Sequence, residues 1–323
     1  MRRYRRAAPD GVTVYLAERL GNQLFIYAAG LAQARRLSVD LLLNLGFVTS
    51  PRPRRRYEKI NALTAFETGA VIPENEAFHR PPFLALPGVP AASTWHNSLA
   101  SRLPAAITKA PIFAERSFRY DSRIENVEPG VTLLGLFQSW RYFDAVSDEL
   151  SERMTRLREP SPWYRQMAAT IVPGSGAIAL NVRRGDYLAA DQQQIQGLAS
   201  PDYYAHARDH LKRLGMDGPV YVASDSLRAV LDEFKGLGPL VPLAPPPGTD
   251  PLELLIILSR VDGLVAANST FSWWAGYLGG RHGQVVVAPR PWFTKTGIDT
   301  RDLLPRDWLT LDRERNSDGL TQA

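Results

Sequence analysis

Two adjacent arginines, Arg183 and Arg184, stand where an apolar run stops. Ala177 to Val182 reads as a buried strand, and Asn181-Val182-Arg183-Arg184-Gly185-Asp186-Tyr187 is its exit. Guanidinium groups in such a place are expensive to strip of water unless an anion meets them. Their planar fork of donors matches phosphate oxygens, so the pair is suited to neutralise a diphosphate. The other reading is an arginine–aspartate pair that pins the loop. Spacing alone leaves both open.

Two further polar segments close predicted strands. Ala223-Ser224-Asp225-Ser226 ends one, and Asn268-Ser269-Thr270-Phe271-Ser272 ends another. The second places small hydroxyls and backbone N–H groups at the start of a helix, which makes either an anion site or an ordinary helix cap. Three polar strand ends on one sheet edge favour a binding crevice over three unrelated caps. Near the amino terminus, Gly21-Asn22-Gln23 is either a tight turn or part of a polar site. Trp273-Trp274 reads as core packing, with a stacking platform as the alternative. Of the histidines at 79, 96, 206, 210 and 282, only His206 and His210 share a helical spacing. With no HExxH and no DxD pair, no metal is expected.

These residues need elements to position them. Gly11 to Leu16 is a short β-rich run, Leu24 to Ala34 has the composition of a buried helix, and Ser38 to Leu43 returns to strand. Strand, glycine turn, helix, strand is the opening of a parallel α/β layer. From about Pro51 to Pro111 prolines are frequent and periodicity is weak, an irregular region suited to shaping an acceptor surface. Val131 to Leu136 is a strand, and Phe137-Gln138-Ser139-Trp140-Arg141-Tyr142-Phe143 follows as an aromatic loop. Ser147 to Leu157 is helical and ends before Pro160-Ser161-Pro162, read as a linker between domains 1–160 and 161–323.

In the second half, strands at Ala177–Val182, Val220–Ala223, Gly263–Ala267 and Gln284–Ala288 alternate with helices. The helices are Pro201–Leu214 (N-capped by Ser200), one running through Leu231, Pro251–Ser259 and Ser272–Leu278. That alternation predicts a doubly wound sheet with its ligand at the carboxyl ends of the strands. Glu314 to Ala323 is polar and expected to fray.

The 323 residues suit two domains, and 45% hydrophobic residues allow each to bury a core. There is no cysteine, which excludes disulfides and thiolate metal sites and suits a reducing compartment. No apolar stretch reaches the roughly 20 residues needed to span a bilayer. A cytoplasmic location follows as the expectation. A net charge of +5 favours anionic partners. The basic runs Arg2–Arg6 and Arg52–Arg56 are read as solvated segments, or as peripheral contacts with an anionic inner membrane face that would bring a lipid-linked acceptor close. They lack the interleaved aromatics of a nucleic-acid binder, so no nucleic acid is expected as partner.

Leu20-Gly21-Asn22-Gln23-Leu24-Phe25-Ile26-Tyr27-Ala28-Ala29-Gly30 resembles the amino-terminal signature of glycosyltransferase family 11, the α-1,2-fucosyltransferases. Val182 to Tyr187 resembles its central arginine motif. Ser200-Pro201-Asp202-Tyr203-Tyr204, Ser224-Asp225, Ala267 to Trp274 and Ala288-Pro289-Arg290-Pro291-Trp292-Phe293 follow in family order, so the likeness runs from about residue 12 to 295.

The resemblance implies an α/β GT-B fold, two Rossmann-like domains facing a cleft. The first would carry the acceptor side with Gly21, Asn22 and Gln23, the second the nucleotide sugar. It implies inverting transfer of L-fucose from GDP-fucose to the 2-hydroxyl of a galactose in a glycan, with no cofactor or metal ion. Arg183 and Arg184 would then stabilise the departing diphosphate, Arg183 taking the larger share. Asn268, Ser269, Thr270, Phe271 and Ser272 would hold the phosphates from the other side, with Ser224 and Asp225 beside them. Asn22 would orient reacting groups. Asp186 is either the base for the acceptor hydroxyl or the ion-pair partner of an arginine. Two positions depart from the family pattern, Asn181 where histidine is usual and Glu253 beside Leu254 where aspartate is usual. Both fall where related enzymes face the guanine, so Asn181 and Glu253 would offer it an amide and a carboxylate. The same fold using another nucleotide sugar or acceptor is the nearest alternative. A non-catalytic, anion-binding α/β protein is a more distant one.

Overall fold

A computed structural model describes residues 10–49, 60–74, 111–189, 193–314 and 321–322; the side chain of Asp186 also lies outside the described set. Both basic runs and most of the proline-rich middle fall outside it too. The chain divides between Arg158 and Glu159 into two units. The first is Met1–Arg158 with Asp299–Leu303, and the second holds Glu159–Ile298 and Leu304–Ala323.

In the first unit, β1 (Val12–Tyr15), β2 (Leu41–Asn44), β3 (Ile112–Ala114) and β4 (Thr132–Leu134) form a sheet of order β2-β1-β4-β3. Every pairing in it is parallel. Helix α1 (Leu20–Leu37) crosses from β1 to β2, and Ser38 ends it in the left-handed region at φ 57°. A single turn, α2 (Gly46–Thr49), follows β2, and α3 (Ser147–Thr155) follows the aromatic segment.

The sequence suggests a glycine turn at 21–23 with the helix beginning at Leu24. Instead Gly21, Asn22 and Gln23 are the first helical turn. Its N-cap, Arg19, gives the helix no side-chain capping hydrogen bond. Gln23 ties the turn down instead. Its amide donates to the carbonyls of Glu18 and Ile60 and accepts from Ala62 N–H, each at 2.9 Å.

The second unit is built on seven strands, β5 (Ile178–Val182), β6 (Val220–Ser224), β7 (Val241–Pro242), β8 (Gly263–Val265), β9 (Val285–Arg290), β10 (Leu309–Asp312) and β11 (Thr321–Gln322). Their order is β11-β10-β9-β8-β5-β6-β7, parallel except for the antiparallel edge strand β11. Sequence reading misses β3, β7, β10 and β11, and β11 lies in the tail expected to fray; β7 and β11, with two residues each, are too short to show a period of two.

β5 lies inside the sheet, buried along its whole length, with β8 on one side and β6 on the other. Helices α4 (Pro162–Thr170), α5 (Pro201–Arg213), α6 (Leu227–Glu233), α7 (Pro251–Ser259) and α8 (Thr270–Gly280) connect these strands or precede them. Three begin with the same device, an oxygen-bearing N-cap followed by proline. Ser161 accepts from Tyr164 N–H at 3.1 Å, Ser200 from Tyr203 N–H at 3.2 Å, and Asp250 from Leu252 N–H at 2.8 Å. The predicted linker at Pro160-Ser161-Pro162 is therefore a helix start.

Trp273 and Trp274 are fully buried, and Trp273 stacks on Tyr277 with ring centroids 4.9 Å apart. They pack the core and offer no platform. Tyr203, also buried, bridges strands by donating to the carbonyls of Ala266 and Val287. Among the described residues no helix is long and apolar enough to cross a membrane.

Gly30 sets how closely α1 lies on its sheet. A Cβ there would stand 2.6 Å from Val14 Cγ1 and 2.7 Å from Leu41 Cδ1. Gly30→Val is expected to lower the unfolding free energy by about 1–3 kcal/mol through overpacking. Urea unfolding followed by circular dichroism measures it, and a stability equal to wild type would contradict the packing.

Candidate functional site

Parallel pairing brings three strand ends of the second unit to one edge. Val182 is in register with Ser224, and Leu180 with Val265, so the segments after β5, β6 and β8 leave the sheet side by side. Side chains then join them. Ser272 Oγ donates to Asn181 Oδ1 at 2.6 Å, and Tyr187 Oη donates to the Asn268 carbonyl at 3.1 Å. The carbonyl of Asn181 accepts from Tyr204 Oη at 3.1 Å. Burial pushes that phenol well above its ordinary value, which keeps it a donor.

The two arginines share one carboxylate neighbourhood but part company. Asp225 accepts the backbone N–H of Arg184 at Oδ1, 2.9 Å away, and pairs through Oδ2 with Arg183 Nη1 at 3.0 Å. Asp225 Oδ2 stands where a Cβ on Gly185 would fall, so only glycine lets the loop close this tightly. Arg183 keeps about a quarter of its side chain exposed and lies 5.3 Å from the Tyr187 ring centre.

Arg184 is buried instead, and its guanidinium is clamped at Nε and Nη2 by Glu233, at 3.0 and 2.9 Å. Its Nη1 donates to the Arg183 carbonyl. The expected sharing of one diphosphate by adjacent guanidinium groups does not match this geometry. Arg184 anchors the loop on α6, and Arg183 stays partly exposed beside Asp225.

Beyond β8, Ser269 caps α8 by accepting Ser272 N–H at 3.1 Å. The N–H groups of Thr270 and Phe271 have no carbonyl within the helix to receive them. Both residues are partly exposed. An anion at this turn would meet two donors and the positive end of an 11-residue helix. Ser224 Oγ accepts from Ser226 N–H, which shapes the turn after β6.

Several expected donor contacts prove to be structural. Asn268 spends its amide N–H groups on the carbonyls of Gln196, Gly197 and Trp292, lacing two loops together. Glu253 is buried, accepting Ser161 N–H at 2.8 Å and the Ser161 hydroxyl, so its carboxylate joins α7 to the start of α4. Desolvating a carboxylate demands such partners, and they leave it poorly placed to read a base. Asn181 is likewise committed through its oxygen to Ser272. Asp186 lies in the turn Gly185–Leu188, with its side chain outside the described residues.

In the first unit, Asn22 remains partly exposed while Gly21 and Gln23 are buried. Its Oδ1 accepts from Gln138 Nε2 at 2.8 Å, which leaves its own amide N–H groups to point at a ligand. Sequence reading places Gln138 in an aromatic loop without a role. Glu233, Gly185 and Gln138 all escape it, because each matters through a partner distant in sequence. Among the described residues no group of three or more His, Asp or Glu is placed to hold a metal.

Arg184→Ala is expected to remove about 1–3 kcal/mol of stability, since it empties a buried site and forfeits charge-assisted hydrogen bonds to Glu233 and the Arg183 carbonyl. Arg183→Ala, at a partly exposed pair, is expected to remove less than about 1 kcal/mol. Urea denaturation of both variants decides it, and equal losses would refute the division of labour.

Residues 130–311, more than half of the chain, match glycosyl transferase family 11. An alpha-1,2-colitosyltransferase of Escherichia coli is 24% identical over 314 residues, covering 94% of this chain and 99% of its own. A galactoside alpha-(1,2)-fucosyltransferase 1 from Alouatta belzebul is 24% identical over 171 residues, 47% of this chain and 44% of its own. A crystal structure of NodZ alpha-1,6-fucosyltransferase soaked with GDP-fucose superposes with a TM-score of 0.51 at 17% identity, covering 97% of this chain and 99% of that one. That likeness concerns the fold, which is α/β with parallel sheets, of the GT-B type. The chain belongs to glycosyl transferase family 11 and is a glycosyltransferase.

Proposed function

We propose that the protein transfers L-fucose from GDP-fucose, with inversion and without a metal ion, to the 2-hydroxyl of a galactose in a glycan. The observation that carries this reading is that partly exposed Arg183 and the first turn of α8 stand on one sheet edge. Breaking the bond between fucose and a diphosphate puts negative charge on the departing phosphate oxygens. A guanidinium and two backbone N–H groups, already fixed in place, stabilise that charge without reorganising. Such an array supplies what a divalent ion would supply in other transferases.

The acceptor hydroxyl must lose a proton as it attacks the anomeric carbon. Asp186, three residues after Arg183 in the sequence, is the carboxyl we assign to take that proton. Asn22 cannot accept one at neutral pH. Its amide, with the oxygen already held by Gln138, donates hydrogen bonds and orients a reacting oxygen. The α-1,2 linkage is in keeping with the name of the Alouatta relative, and the GDP-fucose donor with the solved structure, which is itself named for α-1,6 transfer.

A second reading has the same chemistry with colitose in place of fucose. The relative that spans nearly the whole chain is named for colitosyl transfer and favours it.

Incubating the purified chain with GDP-fucose or GDP-colitose and a galactose-terminated oligosaccharide, in EDTA, separates the readings by mass and linkage of the product. Transfer of fucose to a galactose 2-hydroxyl is expected. Arg183→Ala is expected to lower kcat by about 10²–10³-fold with the fold intact. A variant turning over within twofold of wild type, or activity abolished by EDTA, would overturn the mechanism.

A further inference from the structure

Glu115 is a buried carboxylate one residue past β3, 2% exposed, on which the proposed chemistry makes no direct demand. Its Oε2 accepts the backbone N–H groups of Leu136 and Phe137, both at 2.9 Å. Its Oε1 has no hydrogen-bond partner among the described residues. The two N–H groups belong to the loop that leaves β4. Within it Phe137 holds φ at 52°, a left-handed conformation unfavourable for a residue with a Cβ. Phe113 and Tyr142 pack on its ring, with centroids 6.3 and 5.3 Å away. Gly135 lets the loop pass, since a Cβ there would lie 2.6 Å from Glu115 Cβ. The next residue is Gln138, whose amide holds Asn22. Strained backbone over-determined by its surroundings is found where a side chain must be aimed.

We propose that Glu115 is a positioning residue: by holding the left-handed turn at Phe137 it delivers Gln138 to Asn22 and so fixes the direction of the Asn22 amide. The inference rests on the fucosyl-transfer reading only for the catalytic role of Asn22; the chain of contacts stands without it.

The groups around Glu115 set how the device responds to pH. Tyr142 is close, but its hydroxyl donates to the Arg119 carbonyl and accepts from Asp121 N–H. Asp121 adds a like charge, itself paired with Arg123, whose Nη2 reaches the carbonyl of Ala114. Burial, the largest cause, pushes the Glu115 carboxyl up from 4.5 to about 7, opposed by the two backbone N–H bonds and by the Tyr142 hydroxyl beside it.

The carboxylate accepts the two N–H groups more strongly than the neutral acid does, so protonation loosens its hold on the turn. Turnover should therefore rise as pH climbs through about 7. Stability runs the other way. Between about 4.5 and about 7 the unfolded chain is ionised while the folded one still holds the proton, so the native state weakens as pH rises through that window.

The test compares wild type, Glu115→Gln, Gln138→Leu and the double variant. Deuterium exchange of the peptide spanning 135–139 needs no substrate. Glu115→Gln is expected to speed exchange there about tenfold at a pH above 7, with the rest of the chain unchanged. Each single variant is expected to lower kcat by about 10–100-fold with KM for the donor within about twofold. The double variant should be no slower than the worse single, because both act through one contact. Glu115→Gln should also lose the rise of kcat near 7 and the fall of stability below it. Unchanged exchange at 135–139, or additive losses in the double variant, would overturn the proposal. A wild type with no transferase activity would strike the fucosyl reading alone, and exchange would still decide the contact.

Discussion

The carboxylate of Asp225 is the point on which the arginine loop depends. One oxygen holds the backbone of Arg184 and the other the side chain of Arg183, in a space that exists only because residue 185 has no Cβ. A loop at a strand end otherwise has nothing to keep two cations in fixed directions. The acid keeps Arg183 beside it, partly exposed, and leaves Arg184 to turn back towards Glu233. Adjacent residues of one type thus take unlike jobs, because only one of two consecutive side chains at a strand exit can face the same way.

Much of this was legible in the sequence, and the legible part has a physical reason. β5, β6, β8 and β9 are apolar runs bounded by turn residues, and α5 and α7 announce themselves by Ser200-Pro201 and Asp250-Pro251. Ser161-Pro162 carries the same signal, but Pro160 made the segment look like a linker. The start of α1 was hidden because its first turn is tied by Gln23 to residues nearly forty positions away. A local pattern cannot report a cap supplied from that distance.

The site was legible by residue type and illegible by partner. Ser269, Thr270 and Phe271 stand at a helix start as their pattern suggests. Nothing in the spacing distinguishes Arg183 from Arg184, or shows that Glu253 is absorbed by Ser161 and Asn268 by three carbonyls. Buried polar groups are satisfied wherever an acceptor or donor can be found, and long-range partners do most of that work. Polar residues in a family motif therefore include many that build the crevice and few that face into it.

Charge at the sheet edge follows the same economy. Arg183 and Arg184 are opposed there by Asp225 and Glu233, so the arginine loop is close to neutral before any ligand arrives. Two bare guanidinium groups held together would repel each other and destabilise the loop. A loop neutral at rest avoids that strain. It also means that any anion reaching Arg183 meets a guanidinium already paired with Asp225. The helix start at Thr270 brings the difference, because its positive end has no carboxylate of its own: the first turn of α8 contains no acidic residue. The attraction for an anion at this edge is therefore built from one arginine already paired with Asp225 and one helix terminus with no acid in its first turn.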